Sequence, residues 1–131
     1  MDRITVSSGS PYEDMIGFSR AVRIGNQLAV SGTAPIAPDG STASPGDAYG
    51  QTIRCLEIIR AAIEQAGGRL EDVIRTRIYL TDTAIQGDVA RAHAEYFAAI
   101  KPAATMVVVK ELVRDDWLVE LEAECVVASD R

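Results

Sequence analysis

Glu120, which alternates with Glu122 and Glu124, and a lone histidine, His93, are the residues of this chain best suited to moving protons. A carboxyl shielded from water, or an imidazole near its ordinary pKa, can serve as general acid or base at neutral pH. Arg20, in Phe18-Ser19-Arg20, adds a cation able to hold an anionic group. Each has a plainer alternative. Glutamates two apart can pair with bases on neighbouring strands. His93 lies on or beside the apolar side of a helix, where packing residues stand, and Arg20 can be a salt-bridging surface residue. Other chemistries find no foothold, since Gly-rich phosphate loops, metal-ligand spacings and nucleophile elbows are missing. No cofactor and no metal is therefore expected. Ser7-Ser8-Gly9-Ser10 reads as a turn without strand-to-helix context.

The elements that must position these residues follow from periodicity. Phe18 to Ser31 reads as a β-hairpin turning at Gly25-Asn26, preceded by a loop over Val6 to Pro11. Gly32 to Gly46, with three prolines and no periodicity, is a long loop of the kind that often carries function. Asp47 opens a helix whose Ile53, Leu56, Ile59, Ala62 and Ile63 recur at three and four, and Gly67-Gly68 stops it. Val73 to Leu80 is a strand, Thr81-Asp82-Thr83 a cap, and Gln86 to Ala99 a second helix presenting Val89, His93, Tyr96, Phe97 and Ile100. After Lys101-Pro102, strands are expected over Thr105–Val109 and Trp117–Val127, separated by the charged turn Val113-Arg114-Asp115-Asp116. The order predicts an α+β sandwich with both helices on one face of one sheet.

Strand parity sorts the charges. Val119, Leu121, Ala123 and Cys125 share one face, and the three glutamates share the other. Ile74, Thr76, Ile78 and Leu80 point one way, Arg75, Arg77 and Tyr79 the other. The charged side is either a solvated face or one that meets another subunit.

Composition bounds the function classes. At 131 residues, with 47% hydrophobic and 24% charged residues, the chain has the size and balance of one globular domain over 1–131. No run approaches the about 18 apolar residues of a membrane span, and no secretory signal is read at the N-terminus. Cys55 and Cys125 sit in apolar contexts and read as free thiols of a cytoplasmic protein, a disulfide between them being the alternative. A net charge of −6 with scattered arginines and no stacking platform argues against nucleic acid as a partner.

Several stretches together resemble the Rid (YjgF-type) family across nearly the whole chain. They are Val22-Arg23-Ile24-Gly25-Asn26-Gln27-Leu28-Ala29-Val30-Ser31-Gly32, the helix Gln51 to Gly67, Thr76-Arg77-Ile78-Tyr79-Leu80-Thr81-Asp82, Tyr96-Phe97, Lys101-Pro102-Ala103 and Val119-Glu120-Leu121-Glu122-Ala123. The resemblance implies a chorismate-mutase-like fold, a homotrimer and small-molecule clefts between subunits. It also implies hydrolysis of enamines and imines derived from amino acids, releasing ammonia and a 2-keto acid. Glu120 stands where the family has its site glutamate, and Ser31 and Gly32 where it has the Ser-Gly lining the cleft. Ala104, in Pro102-Ala103-Ala104-Thr105, stands where the family's arginine pairs with the substrate carboxylate. Phe18 replaces a cleft tyrosine and Ala90 an asparagine of the second helix. An alanine offers neither charge nor donor for a bidentate clamp, so standard 2-imino-acid deamination is not expected.

Two readings remain for the cleft formed by Phe18, Arg20, Ser31, Gly32, Ala104, Thr105 and Glu120. One is an enzyme of altered specificity for imine-, enamine- or carbonyl-type metabolites, with Glu120 and His93 as catalytic candidates. The other is a non-catalytic trimer that binds a metabolite or partner. A nuclease role is a third option that the acidic charge disfavours.

Overall fold

The computed structural model describes residues 1–128. Residues 129–131, the end of the expected domain, lie outside them. The elements are β1 (Arg3–Val6), α1 (Pro11–Ile16), β2 (Ala21–Ile24), β3 (Gln27–Thr33), α2 (Ala48–Gln65), β4 (Val73–Leu80), α3 (Gln86–Phe97), β5 (Ala103–Val108) and β6 (Val119–Val126), with short 3-10 turns before β4 and α3. One mixed sheet runs in the order β1-β2-β3-β6-β4-β5. All pairs are antiparallel except β4 with β5. The last strand thus inserts at the centre, between the hairpin and β4.

Both long helices cover one face, as the sequence pattern requires. Leu56, Ile59, Ala62 and Ile63 of α2 and Val89 and Phe97 of α3 meet Leu28, Val30, Ile78, Leu80, Val119, Leu121, Ala123 and Cys125 in one core. Asp47 caps α2, its carboxylate accepting from the Gly50 N–H at 3.0 Å, and Asp82 does the same for Ala84 at 2.9 Å. The β2–β3 turn needs Gly25, which sits at φ +61° where a side chain would be strained. Both cysteines are buried free thiols.

Three expectations need correction. Val6 to Pro11 is not merely a loop. Val6 closes β1, Ser10 caps α1 with Pro11 at its first position, and Ser7-Ser8-Gly9-Ser10 joins a strand to a helix. Ile74 does not share the apolar face. A bulge between Val73 and Arg75 turns it outward, 51% exposed, and Val73, 3% exposed, takes its place inside. The long loop starts later than expected, because Gly32 and Thr33 complete β3, and residues 34–46 form the irregular segment, tied down by side chains. Arg54 donates to the Ile36 carbonyl at 2.7 Å, Arg114 to Gly40 O at 3.0 Å, and Thr42 to Asp116 at 2.9 Å.

Candidate functional site

The expected site residues fall into three places. Phe18, Arg20, Ser31 and Gly32 lie on or beside the β2–β3 hairpin, where Gly32 meets Glu120 of β6 and Arg20 holds the Gly32 carbonyl. Ala104 and Thr105 are exposed on the edge strand β5. Thr105 pairs with Arg77, which pairs with Glu122, so it lies two strands, about 9–10 Å, from the glutamate row. His93 is on α3, its Nε2 at 2.9 Å from the Thr76 hydroxyl and its ring 4.7 Å from that of Phe97. Thr76 belongs to the helix-covered face and Glu120 to the open one, so one chain does not bring His93 and Glu120 together. Burial holds the His93 imidazole below its ordinary pKa.

Glu120 is the focus of the first group. It is half-buried, opposite Tyr79 in the β4–β6 ladder, and its carboxyl accepts no hydrogen bond among the described residues. Desolvation raises its pKa, Arg20 offsets part of that, and Glu122 adds to it. Gly32 explains how the carboxyl fits. A Cβ at residue 32 would run into Glu120 Oε2, so the carboxyl keeps this place only because residue 32 has no side chain. The neighbouring Ser31 hydroxyl donates to Ser19 O at 2.6 Å, and with Phe18 lines an open depression of about 450 Å³ beside α1.

Arg20 is not free to clamp an anion in the way the sequence suggests. It is only 5% exposed, its Nη1 donates to Gly32 O at 2.6 Å and to Thr33 Oγ1 at 2.9 Å, and its Nε lies 3.9 Å from Glu13 Oε2. The guanidinium stands 5.3 Å from the Phe18 ring centre but lines a different depression from Phe18 and Ser31. Burial lowers its pKa, against the attraction of Glu13 and Glu120.

Two further polar residues shape this region and were missed from sequence. Glu13 is buried, and its Oε2 accepts from the Ser8 N–H at 3.1 Å and hydroxyl at 2.6 Å. Burial alone would raise its pKa, but the Ser8 and Ser7 hydroxyls, the Ser8 N–H and Arg20 together hold it below the ordinary value. Gln51, fully buried in α2, donates to Asp116 O at 2.9 Å and accepts from Leu118 N–H at 2.8 Å, anchoring the entry to β6 and so to Glu120. Its signal was phase, because residue 51 precedes Cys55 and Ile59 by four and eight and so belongs to the buried stripe. Glu13 had no comparable signal, since a six-residue helix is too short to show a period.

Away from Glu120 the open face is internally paired. Arg77 Nη1 donates to Glu124 and, at 3.3 Å, to Glu122, whose Oε1 also accepts from the Tyr79 hydroxyl at 3.0 Å. Among the described residues no group of three or more His, Cys, Asp or Glu side chains could hold a metal ion. Among the same residues no helix is long and apolar enough to cross a membrane.

The family model described as Endoribonuclease L-PSP matches residues 11–127. The chain belongs to this family, that of the YjgF/Rid proteins. Rv2704 of Mycobacterium tuberculosis, a member of the YjgF/YER057c/UK114 family, superimposes with a TM-score of 0.87 at 43% identity, covering 96% of this chain and all (100%) of that one. The Rid protein YyfA of Yersinia pestis gives 0.85 at 29% identity, with 96% and 100% covered. A RutC family protein of Pyrococcus abyssi is 38% identical over 106 residues, 81% of this chain and 83% of its own length. The one-sheet, two-helix layout is accordingly the chorismate-mutase-like α+β fold of the Rid family.

Proposed function

We propose that this Rid-family chain, one domain over 1–131, forms a homotrimer whose intersubunit clefts take a small imine, enamine or carbonyl metabolite. Glu120 moves the proton there, and the chain is not a standard 2-imino-acid deaminase. The observation that carries this reading is the Glu120 carboxyl, half-buried, without a hydrogen-bond partner among the described residues and raised in pKa by desolvation. Such a carboxyl keeps its proton closer to neutrality and can give it to an imine nitrogen. As carboxylate it can accept one from the attacking water. The internally paired Glu122 and Glu124 do not meet that description.

Two features support assembly. The edge strand β5 offers an unpaired backbone edge with Ala103, Ala104, Thr105, Val107 and Val108 all exposed, and such edges are normally covered. The open face also exposes Val107, Ile24 and Val126 around its ion pairs. A neighbouring subunit would bring its Ala104 and Thr105 to the Glu120 end of this one, completing the group that one chain leaves divided. Ala104 supplies no cation and Arg20 is engaged with Gly32, which favours substrates without a carboxylate. The same absence of a free clamp favours a second reading, a trimer that binds a metabolite without turning it over. The proposed location is the cytoplasm, where buried thiols stay reduced.

The test is ammonia and keto-product release from imines with and without a carboxylate, in native protein and Glu120→Gln. Pyruvate formation from 2-aminoacrylate should run tens to hundreds of fold below that of relatives keeping the arginine, roughly the 2–4 kcal/mol of a lost desolvated charge pair. Turnover of the carboxylate-free imine should fall in Glu120→Gln. Robust pyruvate release, or an unaffected Glu120→Gln, would sink this reading.

A further inference from the structure

Glu13 and Arg20 form a buried pair that the proposed chemistry does not use. Burying a carboxylate and a guanidinium is expensive unless both are well bonded, and here the bonds tie the Ser8 loop on one side to Gly32 and Thr33 on the other. Ser8 holds the Glu13 carboxylate with two hydrogen bonds, at 2.6 and 3.1 Å. Glu13 faces Arg20 Nε at 3.9 Å, and that Nε is buried with no hydrogen-bond partner. Arg20 Nη1 grips the Gly32 carbonyl at 2.6 Å and the Thr33 hydroxyl at 2.9 Å. Gly32 is the residue against which the Glu120 carboxyl rests. A chain of contacts therefore runs from the Ser8 loop through two opposite charges to the wall beside Glu120.

We propose that Glu13 and Arg20 are positioning residues for Glu120: Arg20 fixes the Gly32 wall and supplies a positive charge beside the carboxyl, and Glu13, tied down by Ser8, sets how much of that charge Glu120 feels. This rests on the reading of Glu120 as the proton-transfer group. The titratable and charged groups that bear on Glu120 are few. They are Arg20 ahead of β2, Glu122 on β6, Tyr79 on β4 and Cys55 on α2. Desolvation pushes the Cys55 thiol and the Tyr79 phenol upward, so both are neutral near neutral pH. Glu122 is already bonded to Arg77 and Tyr79. Arg20 is thus the cation among these groups, and Glu13 its nearest counter-charge.

A tuning pair and a merely structural pair make different predictions. Arg20→Gln removes the positive charge and should raise the titration midpoint of Glu120. Glu13→Gln leaves that charge uncompensated and should lower it. Arg20→Lys, keeping the charge, should return the midpoint toward the native one. A structural pair would shift both glutamine variants the same way, or neither. The measurement is carboxyl carbon NMR of the full-length protein labelled at glutamate, with the Glu120 signal assigned by its loss in Glu120→Gln. If a single variant does not fold, the neutral double variant Glu13→Gln with Arg20→Gln serves, and its Glu120 midpoint should lie above the native one. Midpoints that stay put, or move together, overturn the proposal. If they move in opposite directions while Glu120→Gln leaves imine turnover unchanged, the positioning stands and the proton-transfer role of Glu120 falls.

Discussion

The two faces of the sheet are made of the same strands, residue by alternate residue, yet they are finished to different degrees. On the covered face Val119, Leu121, Ala123 and Cys125 are buried under the helices, with Thr76 bonded to His93 and, in α2, Thr52 to the Ala48 carbonyl at 2.8 Å. On the open face Arg77, Glu122 and Tyr79 satisfy one another, while Glu120, one step along the same strand, accepts no hydrogen bond among the described residues. The difference separates a face whose side chains are packed under helices from one that ends, at Glu120, in a carboxyl without a hydrogen bond among the described residues; under the proposed function that second face is where a ligand or another subunit binds. Stability should therefore respond to changes on the first face, and assembly and chemistry to changes on the second.

The sharpest way to break that comparison is a matched pair on β6. Leu121→Ala should cost about 2–5 kcal/mol in urea unfolding, the range for truncating a fully buried aliphatic side chain. Glu120→Gln, one residue away, should not lower the unfolding midpoint and near neutral pH should raise it slightly, because it neutralises a desolvated carboxyl that has no hydrogen bond to lose. Comparable losses from both would show that the open face also carries folding energy.

A smaller effect is expected from Arg77→Ala, which frees Glu122 and Glu124 together. If the face meets another subunit, light scattering at micromolar protein should show a trimer in the native protein and dissociation in the variant. A native monomer, or a variant as trimeric as the parent, would make these ion pairs a solvated face. Gly32→Ala should change stability less still, since the atom in the way is the far end of a flexible side chain. It should nevertheless displace the Glu120 carboxyl and lower any turnover.

The finest distinction is in pH dependence. Glu13 has a folded pKa below its ordinary 4.5, so its contribution to stability is present above that value and lost as pH falls through the folded one. Glu120 has the opposite sign. Its folded pKa lies above 4.5, so its contribution is present below 4.5 and lost as pH rises through the folded value. Buried His93, with a folded pKa below 6.5, costs stability as pH falls from 6.5 through that folded value. Thermal melts from pH 3 to 8 should accordingly show the acid limb flattened in Glu13→Gln and the decline toward neutrality relieved in Glu120→Gln. Identical profiles would mean that the two carboxyls do not differ as their surroundings require.

Most of the elements were legible because their signals are local. Leucine and isoleucine at three and four in α2, and the alternation of Glu120, Glu122 and Glu124 with apolar partners, declare face and period from a few consecutive residues. Glu120 and the Ser31-Gly32 step were legible in the same way, through short stretches resembling a family. Tertiary structure alone decided the rest, because it depends on contacts between residues far apart in the chain. No local pattern says that β6 inserts between β3 and β4, that a bulge turns Ile74 outward, or that β5 carries Ala104 two strands away from Glu120. Nor does the sequence reveal that His93 and Glu120 lie on opposite faces, or that Arg20 is engaged by Gly32, Thr33 and Glu13. Parity is set between a residue and its neighbour two along. Partnership is set only when the sheet closes its register and the buried charges must find one another.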